Sequence, residues 1–266
     1  MTFFTNKIIW ITGASSGIGE ALVYAFAQQG AKVILSARRR EELERVRQQT
    51  NPANSYVLPL DLMQMDTFAD KTAEAIQAFG QVDILIHNGG ISQRSWVAET
   101  GLDIHRKVME VDYFSYVALT NAILPHFMER KSGHFVVTSS VMGKIGTPMR
   151  SAYAAAKHAL HGFFDCLRAE VWRDNIQVTL ICAGYVRTNV TMNALTATGE
   201  KFGQVGADIG NGYPAEKAAQ QILSAISSGK YETFVGRKFS KEHLSLFLQR
   251  LAPRMLMDIT RKQVPK

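Results

Sequence analysis

"WITGASSGIGEAL", residues 10–22, decides how this chain is read. It joins the end of an apolar run, "KIIWIT" (7–12), to a helical pattern that starts at Ile18. Gly13, Gly17 and Gly19 fall at that strand-to-helix junction. Glycines there permit a tight turn and close backbone approach, while the first turn of the helix offers unpaired N–H groups to a phosphate. A glycine triplet alone also suits an ordinary βα turn. Its place between a strand and a helix at the head of an alternating series points to a dinucleotide.

The series continues outward. β-rich runs stand at "KVILSA" (32–37), "SYVLP" (55–59), "VDILIH" (82–87), "GHFVVTS" (133–139), "IQVTLICA" (176–183) and "ETFVG" (232–236). Helical patterns lie between them at 18–29, 41–49, 66–79, 114–130, 152–173 and 215–227. Near-continuous apolar strands alternating with helices mean a parallel sheet covered on both faces. Right-handed crossovers then give a doubly wound α/β fold of the Rossmann type, with seven strands. No linker interrupts 1–236, which reads as one domain. Residues 183–213 break the rhythm, and a long loop of this kind is usually a lid or a disordered segment. The expected substrate lid is about 189–213, with Met192 and Leu195 as apolar contacts and glycines for mobility.

Composition narrows the class. Apolar residues are 46% of the chain and charged residues 20%, enough core and too little charge for disorder. No apolar run approaches the ~18 residues of a membrane span, and the start shows no signal-like segment. Cys166 and Cys182 are too few for a disulfide framework or metal cluster, so a cytoplasmic, metal-free protein is expected. The net charge is +7, but from Lys230 onward there are nine Lys/Arg against three Asp/Glu, so the body is near neutral. A nucleic-acid surface would show a basic stripe with interleaved aromatics. None is expected here.

The second strand ends in "SARRREEL", residues 36–43. Rossmann units that bind NAD often have an acidic residue here for the ribose 2′-OH. This chain has Arg38, Arg39 and Arg40, which oppose the positive end of the following helix by ~0.3–1 kcal/mol each when exposed. A 2′-phosphate removes that conflict; the competing reading is a solvated run balanced by Glu41 and Glu42. NADP(H) is therefore expected over NAD(H), with Arg38 the principal contact and Arg39 the second.

Two Tyr/Lys pairs share a four-residue spacing, Tyr153/Lys157 in "SAYAAAKHAL" and Tyr213/Lys217 in "GYPAEKAA". Within a helix, side chains at i and i+4 share a face. A phenol near pKa ~10 must come toward neutrality to exchange protons. An ammonium ~4 Å away at an effective dielectric of ~20 supplies about 4 kcal/mol, roughly three pH units.

Gly-x-x-x-Gly-x-Gly with Tyr-x-x-x-Lys resembles the short-chain dehydrogenase/reductase family in its single-domain form, from Lys7 to about Gly236. Further motifs fall in family order: "LDL" (60–62), "HNGG" (87–90), "TSSVMG" (138–143) and "AGYVRT" (183–188). His87, Gly89 and Ala183 depart from the usual residues. The resemblance implies a cofactor held by Gly13, Ser15, Ser16, Gly17, Ile18 and Gly19, by Asp61 and Leu62 at the adenine, and by Asn88 and Gly89. It adds Gly184, Val186 and Thr188, the last at the carboxamide, and Tyr153 and Lys157 at the nicotinamide ribose. The family's serine lies thirteen residues before its tyrosine. Counting back from Tyr153 gives Ser140 after an apolar strand; counting back from Tyr213 gives Glu200 inside the lid. Pro214 also suits a first helical turn, leaving Tyr213 at the entrance. Tyr213/Lys217 is read as structural.

The implied chemistry is hydride transfer between the nicotinamide and a carbonyl or secondary alcohol. Tyr153 exchanges the proton, Ser140 positions the oxygen, and Lys157 lowers the phenol's pKa. The family's fourth residue is an asparagine that holds a relay water; "EVDYFSY" (110–116) puts Asp112 there. Asp112 is expected either to keep the relay or to alter activity by opposing the tyrosinate. His158, His161 and Cys182 read as structural, and His87 receives no proton-transfer role.

"EHLSLFLQRLAPRMLMDITRKQ" (242–263) is a basic amphipathic helix bent at Pro253, within an extension spanning 237–266. It fits a partner subunit, the substrate cleft or an anionic membrane surface. A homodimer or homotetramer and a peripheral membrane contact are thus the open partner readings, with a small carbonyl or alcohol as substrate. "SAYAAAKHALHGFFDCLRAE" (151–170) resembles the family branch acting on steroids and other lipophilic carbonyls. Two rivals stand beside this reading: a catalytically weak cofactor-binding sensor or scaffold, and an epimerase or dehydratase of the extended branch. The second is disfavoured by the glycine spacing.

Overall fold

The β-branched and leucine-rich runs are the strands. β1 (Ile8–Thr12), β2 (Lys32–Ser36), β3 (Ser55–Val57), β4 (Ile84–His87), β5 (Gly133–Ser140), β6 (Ile176–Ala183) and β7 (Glu232–Val235) form one sheet in a computed structural model. That structure describes residues 2–204 and 210–264. All neighbours pair in parallel, in the order β3-β2-β1-β4-β5-β6-β7. The order reverses between β1 and β4, and the crevice beyond the strand ends at such a switch point is where open α/β sheets bind ligands.

Strand alternation feeds a core on each face. Ile9 and Ile11 pack with Leu22 and Phe26 of α1 (Gly17–Gln28), Leu43 of α2 (Arg40–Arg47) and Ile222 of α7 (Ala215–Ser227). Ile8 and Trp10 point the other way, toward Phe68 of α3 (Phe68–Phe79), Leu119 of α5 (Ser115–Arg130) and Phe164 of α6 (Ser151–Glu170). This is the doubly wound Rossmann architecture that the alternating pattern implies.

The structure departs from the sequence reading in four places. α4 (Leu102–Met109) was not anticipated: only Ile104 and Val108 are buried in it, too few for a clear apolar stripe. It runs through a π-helical turn, Glu110–Phe114, directly into α5. α6 stops at Glu170, short of the expected 173, and a 3₁₀ turn follows at Trp172–Asp174. The long 183–213 connection is anchored rather than loose where described. Leu195 pairs with Gln93 and with Lys201, and Ala194 and Leu195 are buried. Residues 205–209 of the expected lid and 265–266 of the extension lie outside the described residues.

The tail bends where Pro253 stands. α8 (Lys241–Leu251) ends before Ala252, and α9 (Pro253–Arg261) begins on the proline. Leu246, Leu248 and Leu256 pack on Val141, Ile145 and Phe234. Among the described residues, no helix is long and apolar enough to cross a membrane.

Candidate active site

The glycine loop is built by close approach. Gly13 (φ 67°) and Gly17 (φ 59°) occupy the left-handed region, and a Cβ on Gly13 would lie 2.6 Å from the Gly89 Cα. A Cβ on Gly19 would lie 2.1 Å from the Gly13 carbonyl oxygen. Asn88 fixes the loop from β4: its Nδ2 donates to Thr12 O (3.2 Å) and Gly13 O (3.4 Å), while Thr12 Oγ1 accepts from the Asn88 and Gly89 N–H groups. Ser16 caps α1 with extended backbone and makes no side-chain capping bond. The helix N-terminus is thus a glycine-lined cradle of available N–H groups, which fits a pyrophosphate.

Arg38 and Arg39 are exposed at the end of β2. Neither guanidinium forms an ion pair among the described residues. Glu42 is engaged by Arg45 at 3.0 Å and Glu44 by Arg40 and Arg47. Of the two carboxylates in the competing reading, Glu42 is thus turned to Arg45 and Glu41 forms no ion pair among the described residues, while Arg40 is balanced by Glu44. Asp61 accepts from the Met63 N–H (3.0 Å), and Leu62 lies against Gly89. Thr188 lies against Gly17 from the other side, and Val186 is buried in the core below. Gly184 donates its N–H to Val235 O (2.9 Å), which fixes the turn after β6.

Across the switch point, α6 presents Tyr153 half-buried and Lys157 only 4% exposed. Lys157 Nζ donates to Thr138 O (3.2 Å) and pairs with Asp112 Oδ2 (3.2 Å). It stands 5.6 Å from the Tyr153 ring centroid and 5.3 Å from that of Tyr116. Asp112 is fully buried, and its Oδ1 accepts from the Ile91 N–H at 2.7 Å. Burial pushes the Asp112 carboxyl up, against the pull of Lys157 and the Ile91 N–H. Burial also works against the Lys157 charge, but Asp112, Tyr116 and Tyr153 outweigh it and hold the lysine above its ordinary range. The carboxylate, not the phenol, is the ammonium's nearest charged partner.

Ser140 ends β5 opposite Ala183; its Oγ donates to Ala183 O (3.3 Å) and accepts from the Met142 N–H (3.2 Å). Ser140 thus stands at the C-terminal end of β5, two residues beyond Thr138, whose carbonyl holds Lys157.

A family model described as short chain dehydrogenase matches residues 7–199. The chain belongs to the short-chain dehydrogenase family. A protein of Anopheles gambiae named dehydrogenase/reductase SDR family protein 7-like is 43% identical over 268 residues, covering 98% of this chain and 84% of that protein. The Rattus norvegicus dehydrogenase/reductase SDR family member 7B is 40% identical over 272 residues, covering 99% and 83%. A solved short-chain dehydrogenase from Streptomyces avermitilis superposes with a TM-score of 0.84 at 27% identity, over 99% of this chain and 100% of that one. One from Burkholderia cenocepacia, in complex with NADP, shares the fold at a TM-score of 0.81 and 21% identity, over 99% and 100%.

For this short-chain dehydrogenase the other sequence candidates sort clearly. Tyr213 precedes α7, pairs with Val186 and has its hydroxyl bonded by Gln221 (3.0 Å), while Lys217 is exposed. His87 is buried, bonded to Thr120 and stacked on Tyr116 at 4.7 Å; burial, with Lys157, pushes it down to about 3. Burial, with Glu232, pushes the Cys182 thiol up to about 12, so it is inert packing.

Two participants were missed. Tyr116 donates its hydroxyl to Gly89 O (2.8 Å) and underlies Lys157, tying the cofactor loop to the lysine. Its place in the 114–130 helical pattern, four residues after Asp112, was the available signal. Arg150, just before α6, donates to Ser92 Oγ (3.1 Å) and Gln93 O (2.9 Å), which fixes the segment pairing with Leu195. Nothing local in the sequence marks it.

Proposed function

We propose that this short-chain dehydrogenase is an NADP(H)-dependent oxidoreductase acting on a lipophilic ketone or secondary alcohol. The observation that carries the reading is the junction of a glycine-lined helix N-terminus with a buried lysine and a half-buried tyrosine one turn apart. Gly13, Ser15, Ser16, Gly17, Ile18 and Gly19 would hold the pyrophosphate, and the close approaches at Gly13 and Gly19 leave room for backbone but not for a side chain. Arg38 and Arg39, exposed and without a carboxylate, would take the 2′-phosphate. Asp61, Leu62, Asn88 and Gly89 would line the adenine and ribose side, with Gly184, Val186 and Thr188 at the nicotinamide end. The cofactor supplies or accepts the hydride at its nicotinamide.

The chain's own residues manage the proton. In reduction, the Tyr153 hydroxyl gives its proton to the carbonyl oxygen, and in oxidation it takes the proton back. The Ser140 hydroxyl, turned away from Ala183 O, would donate its hydrogen bond to the same oxygen and hold it in place. Lys157 stabilises the tyrosinate across the 5.6 Å to the ring centroid and reaches the ribose hydroxyls. Thr138 O and Asp112 fix the ammonium there. Asp112 stands where the family's relay asparagine would, with its charge balanced by the lysine. The lipophilic-substrate reading is supported by the likeness of residues 151–170 to the branch of the family that acts on lipophilic carbonyls.

Fluorescence titration with NADPH and NADH tests the cofactor assignment. NADPH is expected to bind at least tenfold tighter, and Arg38→Ala with Arg39→Ala to remove most of that preference. Equal affinities in the wild type would refute the arginine assignment and leave the proton chemistry standing.

A further inference from the structure

The tail is the part of the surface that the chemistry above does not use. Leu244 (47% exposed), Phe247 (55%) and Leu251 (79%) recur at i, i+3 and i+7 on α8, while Leu246 and Leu248 turn inward. On α9, Met255 (56%) and Ile259 (40%) continue the apolar surface at i, i+4, with Leu256 and Thr260 buried beneath. Exposed apolar side chains repeated in helical register on two successive helices mark an interaction site.

Two further features say what it meets. Residues 237–264 hold seven Lys/Arg against two Asp/Glu, and all seven cations are exposed. A two-fold contact with a second copy would set this excess charge against itself. An anionic surface would satisfy both the charge and the apolar stripe. Second, Phe239 is 79% exposed in the left-handed region (φ 61°), between Lys238 and Lys241. A bulky side chain rarely adopts that backbone. Its N–H is held by His243 Nδ1 at 3.1 Å, so the turn fixes an aromatic outward among cations.

We propose that α8, α9 and the Phe239 turn dock on the surface of an anionic lipid bilayer. The face adjoins the catalytic edge of the sheet. Leu256 packs on Val141, in the turn that follows Ser140, and α8 begins beside the Gly184–Tyr185 turn after β6 along a shared cavity. Docking therefore sets the substrate side of the site next to the bilayer. This consequence rests on the lipophilic-substrate reading; the docking itself does not.

The test is sedimentation of the full chain with vesicles of phosphatidylcholine alone and of phosphatidylcholine with 30% phosphatidylserine, a composition chosen at roughly the charge of a cytoplasmic leaflet. Binding is expected only to the anionic vesicles and to weaken with salt. Leu251→Ser with Met255→Ser should lower affinity at least tenfold, and Arg250→Glu with Arg254→Glu should abolish binding. Each cation at such a surface is worth about fivefold. NADPH affinity of the same variants serves as the folding control and reports separately on the cofactor reading. No vesicle binding by the wild type, or binding unchanged in both variants, overturns the proposal. So does a dimer that Leu251→Ser with Met255→Ser splits while vesicle binding stays absent.

Discussion

Tyr153/Lys157 and Tyr213/Lys217 have the same spacing and opposite fates. The first pair lies inside α6, where i,i+4 geometry stacks it on one face, and Lys157 is driven into the interior against Asp112. The second straddles the start of α7: Pro214 caps the helix, Tyr213 stays in the preceding bridge, and Lys217 projects into solvent. Spacing is therefore only a permission. What makes a lysine chemically useful is the burial that raises the stakes of its charge and the partners that keep that charge in place.

Replacing each lysine breaks the comparison most sharply. Lys157→Met leaves Asp112 buried without its cation, which should cost ~3–5 kcal/mol of stability and at least a hundredfold in carbonyl reduction. Lys217→Met should stay within ±0.5 kcal/mol, roughly, and leave turnover unchanged. Urea unfolding with steady-state NADPH oxidation reads both. Similar losses in the two variants would mean burial is not what separates the pairs.

Asp112→Asn gives a smaller effect with a definite sign. The carboxylate partly cancels the lysine's field at the phenol, so removing it should shift the pH–rate profile of alcohol oxidation toward lower pH by roughly one unit. Turnover at the optimum should change less than tenfold. A large increase in rate would show that the carboxylate hinders the site instead of serving it.

The smallest effect separates the environments by acid titration. His87, packed beside Tyr116 and Lys157, stays neutral down to about pH 3, whereas in the unfolded chain it binds a proton below about 6.5. The unfolded state thus gains protons first, and stability falls as pH drops through that window. His134, pushed down to about 4 by burial, adds to the same limb. Urea midpoints from pH 7 to 4 should fall less steeply in His87→Gln than in the wild type. Parallel slopes would contradict the buried neutral imidazole.

Local features were legible and cooperative ones were not. The glycine loop could be read because its turn and close approach are demanded within a few residues. Ser140 could be placed only through the family's spacing, not from its own surroundings. Asp112 was legible as a departure, but its pairing was not. It is the π-helical turn Glu110–Phe114 that carries Asp112 in the fully buried position facing Lys157, and no residue there announces a change of helical period. That Glu42 turns to Arg45, which also reaches Glu20 and the Ser15 carbonyl on the first βα unit, could not be read from the run itself, because those partners are distant in sequence. Likewise the Leu195–Gln93 pairing joins distant segments, so the lid read as structureless.

The most direct measurement compares Tyr153→Phe and Tyr213→Phe with the wild type in NADPH oxidation across a panel of carbonyl compounds, with NADPH affinity measured in parallel. Tyr153→Phe is expected to lose at least a hundredfold in kcat/KM with cofactor binding retained, and Tyr213→Phe to change by no more than about twofold. Equal rates for Tyr153→Phe and the wild type would contradict the proton role of Tyr153.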